Sequence, residues 1–205
     1  MKKLLYLTAV AAVAVACSKK DDVPSVPSSW TSGKFGTVSF ATTQTWTVGS
    51  QTWSDAVQTS YSNSKTIFKS NTADCRSNPD YKGDLFSWHA VDSFKNELCP
   101  KGWRVPTMQD FIDLDIALGG TGNYNPSADT TLRNKYLNTW GGVYGGYCDS
   151  FGSLGYQGSG VDYWSQSEES LYYAYTLYFD SDGFIHPQGI SGKSSGRSLR
   201  CVRDN

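Results

Sequence analysis

Leu98-Cys99-Pro100-Lys101-Gly102-Trp103-Arg104-Val105-Pro106-Thr107 leads into the clearest helix of the chain. Thr107 offers a capping hydroxyl. Asp110, three residues on, sets a carboxylate against the positive end of the helix. Phe111, Leu114 and Leu118 then fall on one face, with Ile112 and Ile116 beside them, and Gly119-Gly120 stops the run. A second helix is expected over Asp129 to Trp140, with Leu132, Tyr136, Leu137 and Trp140 inward and Gly141-Gly142 at its end.

Strand signals lie on both sides of this helical centre. Phe35 to Phe40 alternates weakly. Thr45-Trp46-Thr47-Val48 and Thr52-Trp53 flank Gly49-Ser50, a hairpin in which Gly49 supplies the positive φ of a II′ turn. Ser60 to Pro79 is polar and irregular, and Gly83 to Val91 is expected as a strand entering the core. Strands resume at Tyr163-Trp164-Ser165. Alternation then puts Leu171, Tyr173, Tyr175, Leu177 and Phe179 on one face, and Tyr172, Ala174, Thr176 and Tyr178 on the other. Asp180-Ser181-Asp182-Gly183 turns, Phe184 to Gln188 returns, and Ser198 to Val202 closes the chain. Two central helices with an antiparallel sheet built from both ends make an α+β architecture.

Composition narrows the function classes. The chain has 205 residues, 18% of them charged, with a formal net charge of −1 and hence no basic surplus to neutralise phosphates. Nucleic acid is therefore not an expected partner. Aromatics at 14% are too many for a disordered chain. A mean hydropathy of −0.43 argues against several membrane spans.

Met1-Lys2-Lys3 followed by the uncharged run Leu4 to Ala16 has the shape of a signal peptide, too short to span a bilayer comfortably. Ala14-Val15-Ala16-Cys17 resembles a bacterial lipobox, so Cys17 is expected to carry lipid and become the mature N-terminus. Ser18-Lys19-Lys20-Asp21-Asp22 resembles the surface-export signal of Bacteroidota lipoproteins. Val23-Pro24-Ser25-Val26-Pro27-Ser28-Ser29 reads as a semi-rigid spacer. The expected organisation is a signal peptide over 1–16, a lipidated cysteine and tether over 17–29, and one domain over 30–205. The expected location is the outer membrane, facing outward.

Four cysteines remain: Cys75, Cys99, Cys148 and Cys201. Their spacing contains no CxxC pair, which gives no support to a zinc ribbon. In an oxidising compartment two disulfides are expected, and spacing leaves all three connectivities open.

Several motifs together resemble a family. Leu98 to Thr107 with its helix, Tyr163-Trp164-Ser165-Gln166-Ser167, the ending Ser198-Leu199-Arg200-Cys201-Val202-Arg203 and the opening Val48-Gly49-Ser50-Gln51-Thr52-Trp53 look like the Fibrobacter succinogenes major paralogous domain. The resemblance covers about residues 35 to 203. It implies a C-type lectin-like fold, related to that of the formylglycine-generating enzymes, in an exported or lipid-anchored protein. It also implies a disulfide between Cys99 and Cys201, which leaves Cys75 and Cys148 as the other pair. The family resemblance places Trp164 at the start of a core strand.

No residue is assigned a catalytic role. His89 and His186 stand alone in sequence, and His89 reads as a satisfied core histidine. The cysteine pair that the formylglycine-generating relatives need has no match here. No carboxylate pair is marked by its local sequence. No metal or cofactor is expected either: Tyr163-Trp164-Ser165-Gln166 lacks the acids of a lectin calcium strand, and Asp180 to Gly183 reads as a hairpin turn. Gly119-Gly120-Thr121-Gly122 follows a helix, so it lacks the helix N-terminus that holds phosphate.

Binding is the remaining class. Residues 141–160 hold eight glycines and three tyrosines and are expected as one long loop. Tyr144, Tyr147 and Tyr156 are its candidate ligand-binding residues, because aromatic faces stack on sugars or peptide prolines. The leading expectation is a non-catalytic recognition module for a glycan or an extracellular protein. The alternative is an accessory subunit of an outer-membrane complex, such as a TonB-dependent nutrient importer. An enzyme is disfavoured.

Overall fold

The computed structural model describes residues 29–32, 36–40, 44–59, 75–76, 83–124 and 127–205. The signal segment, Cys17 and the tether up to Ser28 lie outside the described residues, as does the polar stretch 60–82 apart from Cys75 and Arg76.

Two sheets form the frame. The smaller orders β1 (Ser29–Ser32), β2 (Gly36–Phe40), β4 (Gln51–Thr59) and β14 (Arg200–Asp204), with β3 (Trp46–Val48) also paired to β4. The β3–β4 hairpin closes through Gly49-Ser50 with Val48 opposite Gln51, and Gly49 has φ +60, as the II′ turn requires. The larger sheet orders β5 (Cys75–Arg76), β6 (Asp84–Ser87), β13 (Gly196–Ser198), β10 (Gly160–Glu168), β11 (Tyr173–Asp180), β12 (Phe184–Gly192) and β7 (Ser127–Ala128). A small hairpin of β8 (Tyr147–Cys148) and β9 (Leu154–Gly155) attaches to β13. The chain end joins the two sheets, because β13 and β14 are separated by Leu199 alone.

The helices number three among the described residues, not two: α1 (Trp88–Leu98), α2 (Met108–Leu118) and α3 (Thr130–Asn138). The strand expected over Gly83 to Val91 covers only Asp84–Ser87, because Ser87 caps a helix there by accepting from the Ala90 amide at 3.2 Å. The larger sheet also departs from the antiparallel expectation: β13 runs parallel to β10, with Tyr163 opposite Ser198. That geometry arises because β13 follows β12 in the chain but lies beyond β10 in the sheet.

The Leu98–Thr107 segment anchors the helical layer. Arg104 and Val202 exchange both backbone hydrogen bonds, at 2.9 and 2.8 Å. Cys99 and Cys201 form a disulfide, with Cα atoms 5.7 Å apart. Its closed loop spans 102 residues, worth about 4–5 kcal/mol by chain entropy. Thr107 and Asp110 cap α2 reciprocally, and Arg104 grips the same carboxylate with two nitrogens, at 2.5 and 2.8 Å. Burial pushes the Asp110 carboxyl up, but hydrogen bonds from Arg104 and Thr107 outweigh it and leave the pKa below the ordinary carboxylate value. Gly119 ends α2 in the left-handed region.

One apolar cluster, around Trp88, Val91, Trp103, Trp164 and Leu199, packs α1 between the sheets. Trp164 is fully buried and donates its Nε1 to the Phe86 carbonyl at 2.7 Å, a core role. A second cluster joins Phe111, Leu114 and Leu118 of α2 to Leu132, Tyr136 and Trp140, and to Val161, Tyr163, Leu177, Phe179 and Ile185 of the sheet. No helix among the described residues is long and apolar enough to cross a membrane.

Candidate functional site

Alternation decides what β10, β11 and β12 show on the side away from α2 and α3. Val161, Phe179 and Ile185 align across the three strands and face the core. Their neighbours Asp162, Tyr178 and His186 align in the next row. These three, with Thr176, Gly189 and Ser191, line a cleft of about 420 Å³. Register slips between Thr176 and Tyr178, where β12 carries one extra residue around Pro187. A bulge of this kind accommodates proline and re-aims side chains.

The other wall comes from the β8–β9 hairpin and β13. Arg197 of β13 pairs with Asp162 at 3.0 Å, donates to the Ser191 hydroxyl at 3.0 Å and donates to the Cys148 carbonyl at 3.2 Å. Its guanidinium lies 4.4 Å from the centre of the Tyr147 ring. Tyr147 in turn stacks on Tyr156, with centroids 5.5 Å apart and planes 28° from parallel. Arg197, Tyr147 and Tyr156 thus form a ladder from the buried floor to the surface. At the rim, Tyr178 donates its hydroxyl to Asp180 at 2.9 Å, and Tyr124 meets His186 edge-on.

Burial governs the cleft's electrostatics. It pushes the Asp162 carboxyl above the ordinary value, against the opposing pull of Arg197 and Thr176. It lowers the Arg197 guanidinium despite Asp162 beside it. It raises the Tyr178 phenol, helped by Asp180, and lowers the His186 imidazole, which is neutral at pH 7. The His186 Nδ1 has no hydrogen-bond partner among the described residues.

The three candidate tyrosines separate. Tyr147 and Tyr156 line the cleft. Tyr144 does not: it packs on Phe179 at 5.8 Å, donates its hydroxyl to the Asp180 carbonyl and accepts from Arg133. The long loop of residues 141–160 is therefore half plug and half wall, because its β8–β9 hairpin pairs with the larger sheet while Tyr144 packs back on the core and the Val143 amide donates to the Tyr163 hydroxyl. Cys148 is disulfide-bonded, and the side chain of its expected partner Cys75 lies outside the described residues. Cys17 also lies outside them. His89 sits on α1, not on a strand, edge-on to Trp88.

Asp162, His186, Ser191 and Arg197 were not legible as site residues. They are dispersed in sequence, and only the strand register brings them together. The one local signal on β12 is buried Ile185 beside half-buried His186, and the slip at Pro187 ends the alternation there: Gln188 donates to the Gly122 carbonyl instead of lining the cleft. Asp180 of the turn holds the backbone amides of Asp182 and Phe184, each at 3.0 Å, so its carboxylate organises the hairpin. Among the described residues no three His, Cys, Asp or Glu side chains converge to hold a metal ion.

Fold and cleft together define a disulfide-braced mixed α/β domain whose larger sheet carries an aromatic-walled pocket on its outer face. The chain belongs to the Fibrobacter succinogenes major domain family, which it matches over residues 41–203. That span includes every residue lining the cleft. A comparison with curated proteins finds no match.

Proposed function

We propose that the chain is a non-catalytic recognition module of C-type lectin-like fold, anchored through a lipidated Cys17 on the outer face of the outer membrane, with the cleft as its ligand seat. The observation that carries this reading is the Arg197–Tyr147–Tyr156 ladder, which presents an aromatic ring at the mouth of a polar pocket. A small concave site with few, fixed polar groups suits ligand binding. Its strongest polar groups hold one another: Asp162 is paired to Arg197, and Tyr178 is bonded to Asp180. Such a set supports binding better than proton transfer.

The test is a glycan and protein array probed with the oxidised mature chain, with and without EDTA. Binding that is insensitive to EDTA and lost in Tyr156→Ala supports the reading. Binding indifferent to cleft substitutions refutes it. Cys17→Ser, followed by fractionation and protease treatment of intact cells, checks the anchor: the substituted protein leaves the membrane fraction, and the lipidated one is cut from outside.

One observation favours the accessory-subunit reading. Leu171 and Tyr172 are 76% and 72% exposed at the β10–β11 turn, with Tyr173 beside them. Exposed apolar groups of this kind mark contacts with other proteins. Native purification in mild detergent, comparing wild type with Leu171→Ser/Tyr172→Ser, decides it: a partner lost only from the variant establishes a subunit role.

A further inference from the structure

We infer that the cleft seats an uncharged saccharide ring, with Tyr156 as the stacking platform and the Ser191 hydroxyl and His186 imidazole as hydroxyl partners. This inference rests on the cleft being the ligand seat.

The first support is backbone geometry. Tyr156 has φ +59 and is the only non-glycine residue with positive φ among the described residues. The left-handed region is unfavourable for any residue with a Cβ, a cost glycine escapes. Glycines take positive φ at Gly152 and Gly158 in the same segment. Tyr156 is 57% exposed, so burial returns little for that cost. Among the described residues its one aromatic ring partner is Tyr147. A strained residue that holds an aromatic face outward at a pocket mouth is what a stacking platform looks like.

The second support is charge. The two ionised groups in the lining, Asp162 and Arg197, are paired with each other. A charged ligand would enter without a free counter-charge and would lose its own hydration. An uncharged ligand avoids that penalty.

The third support is the hydrogen-bond inventory. Ser191 accepts from Arg197 and so keeps its own proton to donate. His186 is neutral, with one donor and one acceptor nitrogen. Tyr178 donates to Asp180 and keeps lone pairs to accept. Donors and acceptors alternate within one small space. A ring hydroxyl, which both donates and accepts, matches such a set, while its C–H face matches a tyrosine ring. Size agrees: about 420 Å³ lies near the small end of ligand pockets and holds a ring or two, not a folded epitope.

The experiment uses the mature chain, oxidised, in saturation-transfer NMR and fluorescence titrations. The probes are methyl pyranosides of glucose, galactose, mannose and N-acetylglucosamine, with glucuronate and glucosamine as charged counterparts. At least one neutral ring should bind, with its C–H protons receiving saturation. Its affinity should fall about tenfold in Tyr156→Ala and stay within about twofold in Tyr156→Phe. Ser191→Ala should weaken it, and because Ser191 is buried and accepts from Arg197 the melting temperature should fall by about a few degrees, so the titrations are made well below the transition. Charged counterparts that bind as tightly, and are lost in Tyr156→Ala, overturn the inference while leaving the cleft a ligand seat. A panel in which no neutral ring binds, beside a protein ligand lost in Tyr156→Ala, overturns it in the same way. Binding of any probe that survives Tyr156→Ala and Ser191→Ala overturns the inference and the cleft reading together.

Discussion

The two sides of β10, β11 and β12 are made from alternate residues of the same strands and do opposite things. The inner side carries Val161, Tyr163, Leu177, Phe179 and Ile185, packed with Trp140 and the two helices α2 and α3. The outer side carries Asp162, Tyr178 and His186 in the cleft. Each side is served by one buried arginine. Arg200 lies between the rings of Trp46 and Trp140, 4.8 and 4.0 Å from their centres, and donates to the carbonyls of Ser54 and Trp140. Burial brings its pKa down to about 10, with Tyr163 and Asp55 opposing. Arg197 instead has a carboxylate partner and one tyrosine ring. The contrast teaches that the inner arginine is bound into packing, whereas the outer one is neutralised so that its tyrosine can face outward.

The contrast is tested hardest by deleting one aromatic from each side. Trp140 is fully buried and meets Trp53, Tyr136, Tyr163 and Phe179. Trp140→Ala should lose about 3–5 kcal/mol in urea unfolding. Tyr178→Ala, on the half-buried outer row, should lose no more than about 1–2 kcal/mol. Equal losses would show that the outer row is a second core and not a cleft.

The next largest effect concerns charge. Asp162→Asn leaves Arg197 without its carboxylate and should cost about 2–3 kcal/mol at pH 7. The pH dependence carries a distinct signature. The folded-state pKa of Asp162 is raised, so the folded chain binds the extra proton, and stability falls as pH rises from the ordinary carboxylate value through the folded pKa. Asp110 has the opposite sign: its depressed pKa gives stability that is present above the ordinary value and lost as pH falls through the folded one. His186 is also depressed, so its share is lost as pH falls from its ordinary value. Subtracting the stability profile of Asp162→Asn from that of wild type isolates the Asp162 contribution. A difference that grows on acidification above the ordinary carboxylate pKa is expected once the pairing loss is taken as constant, and a flat difference would place Asp162 in ordinary solvent.

A smaller effect belongs to the anchor of the inner side. Thr107 caps α2 together with Asp110. Thr107→Ala should cost about 1 kcal/mol, and Thr107→Ser should restore most of it. Failure of serine to restore it would mean that the methyl packing, and not the cap, carries the contribution.

Local chemistry explains why the inner side was legible before the outer one. The Thr107 cap, the Gly49-Ser50 turn and the Phe111–Leu114–Leu118 stripe are each decided within a few residues, and each stands as expected. Helix α1 escaped because Leu85, Phe86, Trp88 and Val91 make a short apolar run that suits a strand or a helix equally. Ser87 was the available signal: a serine followed by apolar residues at 88, 91, 94 and 98 has a cap and a helical period. The cleft had no such local signal. Asp162 and Arg197 are 35 positions apart and meet only through the parallel pairing of β10 with β13, and the slip near Pro187 sets which β12 side chains join them. Tyr144 and Tyr147 look alike in sequence, three residues apart in a glycine-rich run. Only the fold shows that one faces Phe179 and the other Arg197.

The smallest expected effect is the most discriminating. Tyr156→Gly removes the ring and relieves the left-handed backbone at once. Relief should return about 1 kcal/mol, and loss of stacking on Tyr147 should cost about 0.5–1.5 kcal/mol. Stability in urea should therefore change by no more than about 0.5–1 kcal/mol in either direction. If Tyr156 served only to hold the β8–β9 hairpin, glycine would disorder the hairpin, and Tyr147 amide exchange would rise with it. If the ring is kept for a ligand, exchange at Tyr147 stays slow and only ligand binding is lost. The two sides of the sheet then differ in kind: inner residues are chosen for stability, whereas Tyr156 sits at a backbone position where stability is nearly indifferent between tyrosine and glycine, so the ring is kept for what it contacts.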